Sequence, residues 1–222
     1  MKKIVSALLM FFLFLTGFSG ENAPAVSILG DSYSTFRGSI PKGNAIWYPN
    51  KNNDVKKVED CWWALVIKAL GGKLEKNESW SGSTICNTGY KKGNFSKFSF
   101  VTRANRLGNP DLILICGATN DSWANSPIGE YKWSNWTEKD LFSFRPAMAK
   151  MLYDIKKQYP RAKVFFILND KLKPVINDSV HEICKYYQIR CIDLVDIDKQ
   201  SGHPSMKGMK EIADQVLKVI SK

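Results

Sequence analysis

Histidine is almost absent from this chain of 222 residues, which has only His181 and His203. Two imidazoles cannot readily supply the Asp/His clusters of a metal-dependent phosphodiesterase. No CxxC pair or Cys/His grouping has metal-ligand spacing, so neither a metal nor another cofactor is expected. Cysteine is sparse as well: five residues, an odd number, leave at least one thiol free even in an oxidising compartment. Cys116 sits in an apolar run and reads as a small buried hydrophobe, while Cys184 and Cys191 form the one pair considered for a bridge. Internal repeats and low-complexity linkers are missing, so one domain is expected. Long basic runs are missing too. The net charge of +11 is spread over single lysines and pairs such as Lys56-Lys57 and Lys91-Lys92, with acids between them. That pattern reads as solvated surface rather than a nucleic-acid-binding face.

Long apolar stretches are confined to the start of the chain. Lys2 and Lys3 precede an almost wholly apolar segment from Ile4 to Leu15, and small residues follow at Gly17, Ser19 and Gly20. This is the layout of a secretory signal peptide, with an apolar core too short to span a bilayer. Cleavage is expected between Gly17 and Ala23, which divides the chain into a signal segment, 1–20, and a domain, 21–222. The expected destination is the periplasm or the medium, with no stable membrane insertion after cleavage. Without Lys2 and Lys3 the charge falls from +11 to +9. About 200 residues suffice for one sizeable core.

Short apolar runs alternate with amphipathic ones along this domain. Strands are expected at Ala25 to Leu29, Lys73 to Trp80, Asp111 to Cys116, Lys163 to Leu168 and Ile189 to Leu194. Helices are expected at Asp60 to Leu70, Phe100 to Leu107, Phe144 to Tyr159, Pro174 to Tyr187 and Met206 to Ile220. Gly71-Gly72 stops the first of these, and Pro146 is tolerable only in a first helical turn. The last carries Met206, Met209, Ile212, Ala213, Val216, Leu217 and Ile220 on one stripe, which reads as core packing. Strand–helix alternation with apolar strands implies an α/β fold, a parallel sheet covered on both faces. In such sheets ligands sit beyond the carboxyl ends of the strands, so the chemistry is sought in the loops that follow them.

Those loops hold the unusual residues. After the first strand comes Gly30-Asp31-Ser32-Tyr33-Ser34, where a tight turn can project the Ser32 hydroxyl; as a bland alternative, Asp-Ser pairs also make turns and helix caps. After the second comes Ser81-Gly82-Ser83-Thr84, where the Gly82 N–H can donate with no side chain in the way. After the third comes Gly117-Ala118-Thr119-Asn120-Asp121, where the Asn120 amide can face a developing oxyanion or simply close an Asx-turn. After the last strand comes Ser201-Gly202-His203-Pro204-Ser205. His203 has an unperturbed pKa near neutrality, as a general base requires. His181 falls in mid-helix and reads as a surface or packing residue.

The order Ser, Gly, Asn, His, each after a strand, resembles the signature blocks of the SGNH (GDSL-like) hydrolase superfamily. Block I matches at Gly30 to Ser34, block II at Gly82, block III at Gly117 to Asp121 and block V at His203-Pro204. The resemblance covers almost the whole domain. It implies a three-layer α/β/α sandwich around a five-stranded parallel sheet of order 2-1-3-4-5. It also implies a metal-free esterase in which Ser32 attacks an ester carbonyl and His203 takes its proton. The Ser32 N–H, the Gly82 N–H and the Asn120 side chain would hold the oxyanion.

One position departs from the pattern. The family usually carries an aspartate three residues before the histidine, where this chain has Gln200. Asp198 is the expected third catalytic residue. The alternative is a Ser–His dyad in which the Gln200 amide oxygen or a backbone carbonyl fixes the imidazole.

The aromatic residues Trp47, Tyr48, Trp80, Trp123, Tyr131, Trp133 and Trp136 cluster near these blocks, and Trp123, just past Asn120, is the expected substrate-lining residue. Together with export they favour a small-molecule or polysaccharide ester as partner, an acetylated carbohydrate first and a lipid-type acyl ester or thioester second. A non-catalytic carbohydrate-binding protein on the same fold is the rival from another class. Sequons at Asn77, Asn94, Asn120, Asn135 and Asn177 would place a glycan on Asn120 in a eukaryotic secretory pathway, so a bacterial origin is expected. The sequence leaves the oligomeric state open.

Overall fold

The computed structural model describes residues 23–221. The expected signal segment, 1–20, lies outside them. Five strands, β1 (Ala25–Gly30), β2 (Lys73–Ser79), β3 (Leu112–Gly117), β4 (Lys163–Leu168) and β5 (Arg190–Asp193), form one parallel sheet of order β2-β1-β3-β4-β5. The central strands explain the order: every residue of β1 and of β3 is buried, as strands covered on both faces must be. The edge strands are more polar. The first four residues of β2 are exposed, and only Asn77, Glu78 and Ser79 are buried.

Helices cover both faces. α1 (Trp62–Ala69) and α6 (Met206–Ile220) pack with Val26, Ile28, Leu112 and Leu114 on one face. α2 (Phe100–Arg103), α4 (Phe144–Gln158) and α5 (Pro174–Tyr186) pack with Leu29, Ile113 and Ile115 on the other. Alternate residues of a strand thus serve opposite cores. Pro146 falls in the first turn of α4, and Trp62 and Trp63 are both core residues.

Several local expectations are corrected. Gly117 to Asp121 is not an open loop: β3 runs to Gly117, Ala118 takes a left-handed conformation, and α3 (Thr119–Ala124) starts at once. The segment after β5 closes into a hairpin of β6 (Lys199–Gln200) and β7 (His203–Pro204). Cys184 and Cys191 lie side by side without an S–S bond, and all five cysteines are free thiols. Met206 stands exposed while Met209, Ile212, Ala213 and Val216 of its stripe are buried, because it opens α6 before that helix settles on the sheet.

Candidate active site

The sheet order sets three of the four signature loops side by side, because β1, carrying Ser32, lies between β2 and β3. β1 ends at Gly30 because nothing larger fits. A Cβ there would lie 2.5 Å from the Ser34 Cβ and 2.6 Å from the Ser79 Oγ. The chain then turns into a short 3-10 segment, Ser32–Ser34, capped by Asp31, whose carboxylate accepts from the Tyr33 N–H at 3.0 Å. Ser32 is buried except for a small fraction of its surface.

The fourth loop is brought in by three hydrogen bonds. The Tyr33 hydroxyl donates to the Gly202 carbonyl at 2.9 Å, the Tyr48 hydroxyl to the Pro204 carbonyl at 2.7 Å, and the Asn53 amide to the same Pro204 carbonyl at 3.0 Å. The hairpin turns through Ser201 and Gly202, both at positive φ, as the tight two-residue hairpin loops require. This sets the His203 Nε2 3.0 Å from the Ser32 Oγ. The opposite ring nitrogen, Nδ1, lies 3.1 Å from the Ser201 carbonyl. A carbonyl only accepts, so Nδ1 carries the proton and Nε2 is left to accept from the serine hydroxyl. Trp47 stacks on the imidazole with ring centroids 3.7 Å apart and planes within 10°. Burial lowers the His203 pKa from its ordinary value, and the bond to the Ser201 carbonyl opposes that shift.

Asp198 does not reach His203. In the hairpin Lys199 faces Pro204 and Gln200 faces His203, so the next position outward, Asp198, lies opposite Ser205. The Ser205 N–H donates to the Asp198 carbonyl at 3.1 Å, and the Ser205 hydroxyl donates to the Asp198 carboxylate. Ser205 in turn caps α6 by accepting from the Gly208 N–H. Asp198 therefore belongs to a helix start. Gln200 turns the other way: its amide oxygen accepts from the Asp54 N–H at 2.9 Å and its NH2 donates to the Asp54 carboxylate at 3.1 Å. Of the three acceptors considered for the imidazole, the backbone carbonyl is the one in place.

On the other side of Ser32, Asn120 stands in the first turn of α3 with its side chain held at both ends. Its oxygen accepts from the Tyr90 hydroxyl at 2.6 Å, and its NH2 donates to the Ser83 carbonyl at 3.0 Å and to the Asp31 carboxylate at 3.3 Å. Gly82 has φ +80°, and no atom lies within 4 Å of where its Cβ would be, so the backbone there is open to an incoming group. Neither its N–H nor that of Ser32 meets a backbone acceptor among the described residues. Trp123, 44 % exposed, carries its ring to within 4.0 Å of the Cβ position of Gly202, beside the hairpin. Trp133 instead stacks on Tyr131 and Tyr186, and Trp136 packs on Tyr153.

Buried charge supports this floor. Arg103 is wholly buried and donates to the carbonyls of Gly30 and Phe98, to the carbonyl of Glu78 and to the Ser83 hydroxyl, tying together the ends of β1 and β2 and the Gly82 loop. Burial pulls its pKa down to about 9, against the opposing influence of Glu78 and Asp31. Burial pushes Asp31 up to about 7 and Asp121 up to about 6. Asp121 accepts from the N–H groups of Ile85 and Cys86 and so shapes the same loop. Sequence reasoning missed Arg103 and Tyr90, and it named a backbone carbonyl as one alternative partner of His203 without saying which. A lone arginine in a short helix and a tyrosine in a loop carry no pattern to find.

The fold is a three-layer α/β/α sandwich that brings a serine hydroxyl and an imidazole into contact beyond the carboxyl ends of its strands. Residues 24–220 match the model of the GDSL-like lipase/acylhydrolase family. The chain belongs to that family of carboxylic ester hydrolases, within the SGNH superfamily. Two solved structures described as GDSL-like lipases are similar over nearly their full length. That from Bacteroides uniformis is 51 % identical, with 89 % of this chain and 95 % of that one covered and a TM-score of 0.88. That from Bacteroides ovatus is 50 % identical, with 88 % and 97 % covered and a TM-score of 0.87. An acetyl xylan esterase from Butyrivibrio proteoclasticus shares the fold at 16 % identity and a TM-score of 0.57, with 90 % of this chain and 64 % of that one covered. No curated protein matches.

Proposed function

We propose that the protein is an exported bacterial serine esterase acting through a Ser32–His203 dyad, with an acetylated carbohydrate as its substrate class. The observation that carries the reading is the 3.0 Å contact between the Ser32 Oγ and the unprotonated Nε2 of His203. Ser32 attacks the ester carbonyl while His203 takes its proton and returns it to the leaving alcohol. Water then attacks the acyl carbon and gives a proton to the same nitrogen, which passes it to the departing Ser32 oxygen as the acid is released. The charge that develops on the carbonyl oxygen falls to the N–H groups of Ser32 and Gly82 and to Asn120. The longer of the two Asn120 NH2 bonds, that to Asp31 at 3.3 Å, is the one that yields its proton to the oxyanion.

Trp47, Tyr90 and Trp123 around the dyad support a sugar-bearing substrate, since aromatic faces pack on sugar rings. The acetyl xylan esterase name of one remote fold relative points the same way. A lipid-type acyl ester is the second reading, favoured by the family's description as lipase/acylhydrolase. Export rests on the Lys2-Lys3 pair and the apolar segment behind it. No helix among the described residues is long and apolar enough to cross a membrane.

The test compares 4-nitrophenyl acetate, butyrate and octanoate with acetylated xylo-oligosaccharides, and repeats each with Ser32→Ala. The expected result is acetate release from the saccharides, a preference for the shortest acyl chain and no turnover by the variant. Turnover that survives Ser32→Ala overturns the mechanism, and a preference for octanoate overturns the substrate class. Fractionation of the producing cell tests export.

A further inference from the structure

The second histidine, on the far edge of the sheet, stands in unexpected company. His181 and Cys184 are three residues apart on α5 and share a helix face. Cys191 and Asp193 alternate on β5 and share the strand face that α5 covers. The Nε2 of His181 lies 2.7 Å from a carboxylate oxygen of Asp193. The ligand atoms of His181, Cys191 and Asp193 all fall within 4.8 Å of one another. The buried thiol of Cys184 neighbours Cys191 but stands outside this group of three. One nitrogen, one sulfur and one carboxylate thus converge from two neighbouring elements whose backbones are fixed by the sheet and its packing.

We propose that His181, Cys191 and Asp193 form a binding site for a single zinc-class divalent cation, with water as the fourth ligand. The donor set selects the metal: thiolate and imidazole suit Zn2+, whereas an all-oxygen cage would suit Ca2+ or Mg2+. A tetrahedral zinc centre, with bonds of roughly 2.0–2.3 Å, spaces its ligand atoms roughly 3.3–3.8 Å apart. The observed cluster reaches that spacing when the His181–Asp193 contact opens and the Cys191 thiol closes in, each by a small shift. The His181 and Asp193 side chains can move, being 48 % and 57 % exposed. Binding displaces the Cys191 thiol proton to solvent and leaves a thiolate on the cation, so the site tightens as pH rises. None of the three residues hydrogen-bonds to Ser32, His203 or Asn120, so the site is structural: it clamps the edge strand β5 to α5, next to the segment that leads to the His203 hairpin. Without a cation the three residues would be an exposed ion pair beside a thiol, and that is the outcome to be tested against.

The whole secreted chain, purified without a polyhistidine tag and with its thiols reduced, is titrated with Co2+ and then Zn2+. The expected result is one Co2+ per chain with a thiolate-to-cobalt charge-transfer band and the intense visible bands of a tetrahedral ion, both displaced by Zn2+. Cys191→Ser should remove the thiolate charge-transfer band. It should also weaken Zn2+ binding by at least about 100-fold, since even the outer partners of a metal ligand are worth about 10–100-fold. His181→Ala, an exposed position tolerant of change, should weaken it comparably while hydrolysis of 4-nitrophenyl acetate stays at the wild-type level. Octahedral cobalt spectra without a thiolate band, or Zn2+ binding unchanged in both variants, overturn the proposal. A Cys184–Cys191 disulfide in the freshly secreted, unreduced protein overturns it as well.

Discussion

His203 is oriented by the carbonyl of Ser201, two residues earlier in the same hairpin, at 3.1 Å from its Nδ1. The contact is made inside one tight turn, so the hairpin itself chooses the tautomer of the imidazole and no carboxylate is needed for it.

Substitution of Asp198 and Gln200 should show this. Asp198→Asn and Gln200→Ala should both leave kcat close to wild type in a 4-nitrophenyl acetate assay. Asp198→Ala should cost stability instead, because it removes the acceptor of the Ser205 hydroxyl. A loss of about 0.5–1.5 kcal/mol is expected, the usual worth of one hydrogen bond, and thermal unfolding would measure it. A fall in kcat of about 10²-fold for Asp198→Asn would return that carboxylate to the catalytic relay.

Asn120 is held by Tyr90, Ser83 and Asp31 at once, a preorganised donor rather than a free side chain. Asn120→Ala should lower kcat by about 10²-fold with a smaller change in KM, as loss of one oxyanion donor does elsewhere. Tyr90→Phe leaves the amide in place but frees one end of it, so a smaller fall in kcat is expected. Steady-state kinetics decide: a rise in KM alone would make Asn120 a ground-state binding residue.

The indole of Trp47 lies flat on the His203 ring and contributes to the burial that lowers the imidazole pKa. Only the neutral ring can accept the serine proton. The acid limb of kcat/KM should therefore have its midpoint below about 6.5, the unperturbed histidine value. Trp47→Ala uncovers the ring and should move that midpoint upward, besides lowering kcat. An unmoved pH profile would limit Trp47 to substrate contact.

Much of the frame was legible because its signals are local and repetitive. The limits of β4 and α6 match the sequence reading, since β4 is a short apolar run bounded by polar residues and α6 has a clean amphipathic stripe. Ser32, Gly82, Asn120 and His203 could be singled out as candidates because each comes after a strand of the parallel sheet, and the structure brings Ser32 and His203 into contact. Failures came where a contact depends on register or on the main chain. Asp198 is close to His203 in sequence, but a hairpin sets it opposite Ser205. α3 was missed because six residues, Thr119–Ala124, are too few to show a helical period. The His181 cluster was invisible because His181 comes from α5 while Cys191 and Asp193 come from β5, and neither part has a metal-ligand spacing of its own.

Asp31 is wholly buried beside Ser32, its pKa pushed from 3.8 up to about 7 by burial. The folded value lies above the unfolded one, so the fold favours the protonated form. Its stabilising contribution is complete below the unfolded pKa and is lost as pH rises towards the folded one; above that the fold carries the full penalty of a buried carboxylate. That penalty is at most on the order of 4 kcal/mol, the whole shift converted to free energy. Asp31→Asn removes the charge and keeps an oxygen for the Tyr33 N–H. It also sets an NH2 against that of Asn120, a cost that does not depend on pH. The difference in Tm between variant and wild type should therefore favour the variant more at about pH 8 than at about pH 5, whatever its absolute value. Activity should fall at both, because Asn120 loses an acceptor that positions it. Thermal unfolding at the two pH values, with kcat measured alongside, tests both halves. An equal Tm difference at the two would show that Asp31 stays ionised in the fold, held by the N–H groups around it.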